Sequence, residues 1–176
     1  MGTVGEELLR TERLRLRPWT TCPEDLDRLT DIYGRIEVTR WLGGPPQLTA
    51  EQIVARWDAV SAQDDRFGCW AIELPDSTVA GTLLLKPLPN GVGEVEVGWH
   101  LHPDSWHHGY ATEAARAVIE RAFQAGLPEV YAVVRPGNEP SLAVCRRLGM
   151  TPLGRMTRWY DVELEAFRLM APVVVE

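Results

Sequence analysis

The spacing of hydrophobic and polar residues divides the first third of the chain into a strand, two helices and a loop. Residues 11–18 alternate apolar and basic side chains in period two, which predicts a half-buried strand that ends at Pro18. Residues 23–33 repeat apolar side chains at helical spacing, and a second helical pattern begins after Thr49, a good N-cap residue. Residues 41–46 show neither period and predict a loop between the helices.

Strand patterns fill the middle of the chain. They cover residues 67–74, 78–86 and 92–101, and the turn-forming residues between them indicate an antiparallel meander. A helical pattern follows over residues 109–124, and Gly126 closes it. Its predicted apolar stripe consists of Ala111, Ala115, Val118, Ile119, Ala122 and Phe123. This stripe predicts that one face of the helix packs against the sheet.

The last third of the chain predicts a strand, a helix and two further strands. Residues 130–134 form a short apolar run, and a helix then starts at Asn138 and ends at Gly149. Residues 151–160 and 162–170 alternate again. Together the patterns predict a mixed α/β fold, in which about four helices flank a central, mostly antiparallel twisted sheet of about seven strands.

Length, charge and cysteine content narrow the class of protein. A chain of 176 residues predicts a single domain over residues 1–176, with residues 1–10 as a flexible N-terminus. No stretch approaches the roughly 20 apolar residues of a membrane span, so we expect a cytoplasmic protein without a membrane partner. The net charge of −7 disfavours nucleic acid as a partner. The three cysteines contain no Cys-x-x-Cys pair, which disfavours a disulfide framework or structural zinc.

The start of the helix at residue 109 is a candidate anion site. Backbone N–H groups at a helix start can hold phosphate, Gly109 permits close approach of a ligand, and the Thr112 hydroxyl can add a hydrogen bond. A glycine before an amphipathic helix is more often a simple turn, so this feature alone leaves both interpretations open. The chain contains no Gly-x-x-x-x-Gly-Lys-Ser/Thr phosphate loop.

Three ordered runs of residues carry a family resemblance. They read Val-Glu-Val-Gly-Trp-His-Leu at 95–101, Trp-His-His-Gly-Tyr-Ala-Thr-Glu-Ala at 106–114, and Asn-Glu-Pro-Ser-Leu-Ala-Val-Cys-Arg-Arg-Leu-Gly-Met at 138–150. In this order and spacing they resemble the GNAT superfamily of N-acetyltransferases, specifically its RimJ/RimL-like branch. The resemblance covers nearly the whole chain. It implies an acetyl-CoA-dependent N-acetyltransferase that needs no metal and moves the acetyl group directly from the thioester to a primary amine, of a small molecule or a protein N-terminus.

The resemblance also implies where acetyl-CoA binds. The pyrophosphate would lie on the backbone of the segment His107, His108, Gly109, Tyr110, Ala111 and Thr112. Trp99, His100 and Leu101 would pair, strand-like, with the pantetheine arm. The chain departs from the branch at His107, where glycine is usual. We therefore expect a stiffer turn there, with an imidazole that can touch a phosphate.

Asn138 and Ser141 match the family's Asn-x-x-Ser element, whose side chains commonly reach the pantetheine or the thioester. Helix capping would select Asn138 equally well, so both roles stay open. Many GNAT enzymes use a tyrosine as proton donor where this chain has Cys145. Cys145 lies on the apolar stripe of its helix, which predicts packing, and Ser141 or a water becomes the alternative donor.

Glu96 is the candidate general base. Acetyl transfer needs a neutral amine, and a lysine-like amine with a pKa of about 10.4 is almost fully protonated at pH 7. Glu96 lies on the strand expected to present the thioester, and burial there would raise the pKa of its carboxyl group. A solvated strand face would carry the same residue without any catalytic role, so that alternative also stays open.

Two other functions compete with acetyl transfer. One is a catalytically inactive CoA-binding sensor or interaction module with the same fold. The other is a histidine-metal hydrolase, suggested by the four histidines within nine residues, His100, His102, His107 and His108. Their spacing matches no standard metal motif, so we expect no metal.

The sequence leaves the acceptor amine unnamed. Residues 33–46 and 155–161 are the predicted walls of its site, and neither contains a motif that identifies a ligand. Oligomeric state is also open, although homodimers are common among the resembling enzymes.

Overall fold

Eight strands form one sheet in the computed structural model, which describes residues 9–173. The strands are β1 (Leu9–Arg10), β2 (Arg15–Pro18), β3 (Gly68–Glu73), β4 (Val79–Pro87), β5 (Val95–Leu101), β6 (Glu129–Val134), β7 (Thr151–Met156) and β8 (Leu164–Met170). Their order across the sheet is β1-β2-β3-β4-β5-β6-β8-β7. Neighbouring strands are antiparallel except at the centre, where β5 and β6 run parallel.

Helices cover both faces of the sheet. They are α1 (Pro23–Gly34), α2 (Ile36–Thr39), α3 (Ala50–Ser61), α4 (Tyr110–Gln124) and α5 (Glu139–Arg147). The larger apolar core lies between the sheet and α4 with α5, and includes Val97, Val118 and Cys145. A second core joins α1 and α3 to the opposite face around Ile32 and Val54. The central strands therefore have packed helices on both sides, and only their ends can open to a ligand.

The fold class is confirmed, with one strand and one helix more than predicted. The additional strand β1 includes Leu9 and Arg10, which pair with Leu16 and Arg15, so the prediction of a flexible terminus up to residue 10 was wrong for these two residues. Residues 1–8 lie outside the described part of the chain. The predicted strand at residues 11–18 begins only at Arg15, because Thr11 N bonds to Leu14 O and closes a turn.

The additional helix and the other boundary errors have local causes. Helix α2 has four residues, too few for a helical period to show in the sequence. The strand predicted over residues 151–160 ends at Met156, because the segment that follows leaves the sheet to bury Trp159. On α4, Ala114 is fully buried while Ala111, predicted in the apolar stripe, lines a cleft.

Within residues 9–173, no helix has both the length and the hydropathy needed to cross a membrane.

Candidate active site

A cleft opens where the two parallel strands at the centre of the sheet separate. In the described residues, β5 and β6 pair at Glu96 and Tyr131. Beyond this point Gly98 to Leu101 on one side and Ala132 to Val134 on the other become walls of a cleft of about 1760 Å³. The free edge of β5 can pair with an extended ligand that carries amide groups, as a strand would.

The N-terminus of α4 faces this cleft with its first turn uncapped. The first backbone bond of the helix joins Glu113 N to Gly109 O at 3.1 Å, and no side chain of the described residues caps the helix. The N–H groups of Tyr110, Ala111 and Thr112 therefore have no acceptor within the helix. Together with the helix dipole, they form a site for an anion.

Thr112 adds a buried hydroxyl to this site. Its side chain is 9% exposed, and Oγ1 has no hydrogen-bond partner among residues 9–173. Burial of an unpaired hydroxyl costs about 1–3 kcal/mol, so such groups usually face a ligand or an ordered water. The Thr112 hydroxyl thus fits a phosphate oxygen at the helix start.

The turn before α4 uses left-handed backbone at two positions. Gly109 has φ of 77° and His107 has φ of 65°. A residue with a Cβ at such a position carries a cost of about 1–2 kcal/mol, which glycine avoids. His107 therefore occupies a place that suits glycine, the residue that is usual there in the resembling enzymes, and nothing in the described residues explains why this chain has histidine. His108 stacks on Tyr110, with ring centroids 5.2 Å apart.

Arg13 and Thr11 hold the start of α4 through contacts that the sequence did not predict, and we call these contacts the clamp. Arg13 Nε and Nη2 each lie 2.7 Å from Glu113 Oε2, and the hydroxyl of Thr11 donates to Glu113 Oε1 at 2.6 Å. Arg13 Nη1 also donates to the carbonyl oxygen of His108 at 2.9 Å, and its guanidinium lies over the Tyr110 ring. The turn after β1 is thereby fastened to the anion-site loop.

The Asn138 and Ser141 side chains meet neighbours at the start of α5. Ser141 N lies 3.5 Å from Asn138 Oδ1, so Asn138 occupies the N-cap position. Ser141 Oγ accepts a hydrogen bond of 3.3 Å from Trp99 Nε1, which links α5 to β5. Both residues line the cleft, and the Ser141 hydroxyl proton is not committed to an acceptor in the described residues.

Glu96 lies at the point where β5 and β6 diverge, and it is buried. Its side chain is 8% exposed, Oε2 accepts a hydrogen bond of 2.7 Å from Tyr160, and Lys86 Nζ lies 3.5 Å from the same oxygen. Burial raises the pKa of the Glu96 carboxyl group, while Lys86 and Tyr160 oppose this rise. This burial contradicts the alternative of a solvated strand face.

Sequence reasoning missed both partners of Glu96. Lys86 is the only lysine in the chain, and it lies directly opposite Glu96 across the β4–β5 pair. Tyr160 comes from the loop between β7 and β8, which buried Trp159 anchors against Tyr131. The register of the predicted meander could have pointed to Lys86, but no local pattern pointed to Tyr160.

The side chain of His100 faces the helical layer of α1. Its Nδ1 lies 3.0 Å from the Tyr33 hydroxyl, which also donates to Thr82 Oγ1 at 3.0 Å. Burial lowers the pKa of His100 to about 4, so the imidazole is neutral at pH 7. The His100 side chain therefore lies on the same face of the sheet as Glu96. Its backbone can still pair with a ligand.

The structure separates the four histidines that lie close together in sequence. His102 is buried and contacts Asp31 and Asp104, while His107 lines the cleft. Cys145 is fully buried in the core, and burial raises the pKa of its thiol to about 12. The prediction that Cys145 packs is confirmed.

Comparisons with known proteins converge on one family. Residues 13–151 match the family model described as "Acetyltransferase (GNAT) domain". The chain is 29% identical over 156 residues to the uncharacterized N-acetyltransferase YoaA of Bacillus subtilis, which covers 86% of this chain and 87% of the relative.

Solved structures agree with this match. An acetyltransferase from Agrobacterium tumefaciens is 30% identical and superposes with a TM-score of 0.78 over 92% of this chain and 93% of its own. Mycobacterium smegmatis RimJ in complex with CoA-disulfide shares the fold at 22% identity, with a TM-score of 0.73 over 90% of this chain and 82% of that one.

Proposed function

The chain belongs to the GNAT acetyltransferase family and transfers acetyl groups from acetyl-CoA, and on that premise we propose that Glu96 receives the proton that the acceptor amine loses. The observation that carries this proposal is the burial of Glu96 at the divergence of β5 and β6. Glu96 lines the cleft at that point. It is therefore close to any amine that reaches the edge of β5.

The environment of Glu96 suits a proton acceptor. Burial raises the pKa of its carboxyl group, which brings it nearer to the pKa of an amine and favours proton transfer. Lys86 and the Tyr160 hydroxyl stabilise the charged form, so that the carboxylate is still available as a base. These two residues position and tune Glu96.

The residues at the start of α4 are the proposed holders of the cofactor's pyrophosphate. The backbone N–H groups from His107 to Thr112 can donate to the oxygens of a diphosphate, and so can the Thr112 hydroxyl, which has no partner in the described part of the chain. Acetyl-CoA supplies the acetyl group as an activated thioester. The free edge of β5 at Trp99, His100 and Leu101 would hold the pantetheine amides by strand-like pairing.

Ser141 is the proposed proton donor on the opposite wall. Its oxygen accepts from Trp99 Nε1, which fixes the hydroxyl and leaves its proton free to point into the cleft. Asn138 orients the helix that carries Ser141. Cys145 cannot take this role, because it is buried in the core and its thiol has a raised pKa.

The finer assignments are also proposals. Similarity to RimJ at 22% identity supports a RimJ/RimL-like branch. The proposed acceptor is a primary amine of a small molecule or a protein N-terminus. The free cysteines Cys22, Cys69 and Cys145 agree with a reducing cytoplasm. Oligomeric state stays open, and a homodimer is the assembly that is common among the resembling enzymes.

An assay of thiol release tests the function. Purified protein with acetyl-CoA and a panel of primary amines should release CoA thiol only when an amine is present. Acetyl-CoA that raises the melting temperature without any amine-dependent thiol release would instead indicate a CoA-binding sensor.

A further inference from the structure

Unpaired positive charge is concentrated in the cleft. Although the chain has a net charge of −7, some of its arginines lack a carboxylate oxygen within 4 Å in residues 9–173. Those that line the cleft are Arg10, Arg40, Arg56, Arg116, Arg135 and Arg147. Arg121, which donates to Asp65 O, is the other one and lies outside the cleft lining.

Five of the six cleft-lining arginines divide between the two faces of the sheet, and Arg10 lies on the edge strand β1. Arg116 and Arg147 belong to α4 and α5, on the side of the proposed pyrophosphate site. Arg40 directly follows α2 and Arg56 lies on α3, on the side that Glu96 and His100 face. The cofactor's phosphates therefore account for the first group but not for the second.

Arg135 joins the second group from across the cleft. It follows the last residue of β6, and a methyl group placed on Gly43 would lie 3.2 Å from its Nη2. Its guanidinium thus reaches the loop that begins at Arg40. The guanidinium of Arg40 lies 4.5 Å from the ring centroid of Trp41, which limits its freedom.

Negative charge in this part of the cleft does not balance the arginines. Among residues 9–173, the cleft-lining carboxylates on this side are those of Glu37 and Glu96, and Glu96 already has Lys86 beside it. The other glutamates of the lining belong to the β1–β2 turn, α4 and α5, and they are Glu12, Glu113, Glu120 and Glu139. A second ammonium group on the acceptor would meet more positive than negative charge. A carboxylate would instead find guanidinium groups, which bind carboxylates in a bidentate geometry.

We infer that the acceptor is a primary amine that also carries a carboxylate. Its amine reaches Glu96, and its carboxylate is held by Arg40, Arg56 and Arg135. This inference rests on the proposed function, because it assigns the substrate class of the same cleft. A free amino acid and an acidic peptide N-terminus share this chemistry.

Matched acceptors that differ only in charge test the inference. One set is 4-aminobutanoate, butylamine and (3-aminopropyl)trimethylammonium; the other is three tripeptide amides whose second residue is glutamate, glutamine or arginine. Thiol release from acetyl-CoA gives kcat/KM for each. In at least one set, we expect kcat/KM of the carboxylate member to exceed that of the cationic member by about tenfold or more. The set that shows this difference tells whether the acceptor is a free amino acid or an acidic peptide N-terminus.

Arginine variants identify the residues that cause the preference for an acceptor with a carboxylate. Arg40→Gln and Arg135→Gln should each reduce the preference severalfold with KM for acetyl-CoA unchanged, while Arg121→Gln, the matched control outside the cleft, should retain it. Equal or better turnover of the cationic members would overturn the inference and leave acetyl transfer intact. Absence of thiol release with every acceptor, although acetyl-CoA raises the melting temperature, would contradict the proposed function itself.

Discussion

The hydroxyl of Tyr160 donates a hydrogen bond of 2.7 Å to Oε2 of Glu96, across 64 positions of the chain. It fastens the loop between β7 and β8 to the point where β5 and β6 separate. Arg158 and Asn90 contribute to the same attachment, because Arg158 pairs with Glu94 and Asn90 Nδ2 donates to Trp159 O at 3.1 Å. The proposed base is therefore held by a loop that is itself attached to the β4–β5 segment.

Tyr160→Phe should move the acidic limb of the kcat/KM profile to higher pH. The hydrogen bond from Tyr160 lowers the pKa of Glu96 against the effect of burial, so its removal raises that pKa and protonates the base at a higher pH. Activity is then lost earlier as pH falls. The profile measured from pH 5 to 9 checks this shift, and a limb at an unchanged pH would show that Tyr160 does not tune Glu96.

Thr112→Val should weaken cofactor binding without lowering the stability of the free protein. The valine side chain has nearly the same shape and removes a hydroxyl that is buried without a partner among residues 9–173, so the free protein should unfold at an equal or higher temperature. Acetyl-CoA should raise the melting temperature of the variant less than that of the wild type. A cofactor-induced shift as large as that of the wild type would exclude this hydroxyl as a phosphate ligand.

Arg13→Gln should raise KM for acetyl-CoA by about tenfold, since the clamp holds the His108 carbonyl and Glu113 at the start of α4. KM for the acceptor should change little, because Arg13 contacts the loop before α4. Arg66→Gln, which breaks a surface pair with Asp64 away from the cleft lining, is the matched control and should leave both constants unchanged. Equal effects of the two substitutions would show that the clamp has no role in cofactor binding.

His107→Gly should be more stable than His107→Ala by about 1 kcal/mol, because position 107 has a left-handed backbone with φ of 65°. At His108, whose φ is not positive, the order should reverse and alanine should be the better substitute. Chemical denaturation of the four variants measures both differences. The same order at both positions would contradict a strained turn at His107.

Most of the architecture could be predicted because a long segment with a regular hydrophobic period shows by itself whether it forms a helix or a strand. The apolar stripe of α4 and the alternation of β3 to β5 are local properties, and the structure places these elements within a few residues of their predicted bounds. The shorter elements β1 and α2 were missed, since two and four residues cannot display a period. Their positions depend on pairing and packing with distant segments.

The candidate site could be predicted only in part, and the reason differs between residues. The helix start at Gly109 could be predicted from a local pattern, a glycine before an amphipathic stripe. Lys86 could have been predicted, because it lies opposite Glu96 in an antiparallel strand pair whose register follows from the intervening loop. Tyr160 and Arg13 contact the site across 64 and 95 positions or more, and no local pattern encodes such contacts.

The kinetic effect of Glu96→Gln as a function of pH tests the role of Glu96 most directly. At pH 7 and saturating acetyl-CoA, the substitution should reduce kcat by about 10²- to 10⁴-fold, the usual contribution of a general base. The defect should shrink as pH approaches the pKa of the amine, which then loses its proton to solvent, and KM for acetyl-CoA should stay unchanged. Wild-type activity of Glu96→Gln at pH 7, or a defect that is equal at every pH, would contradict the assignment of Glu96 as the base.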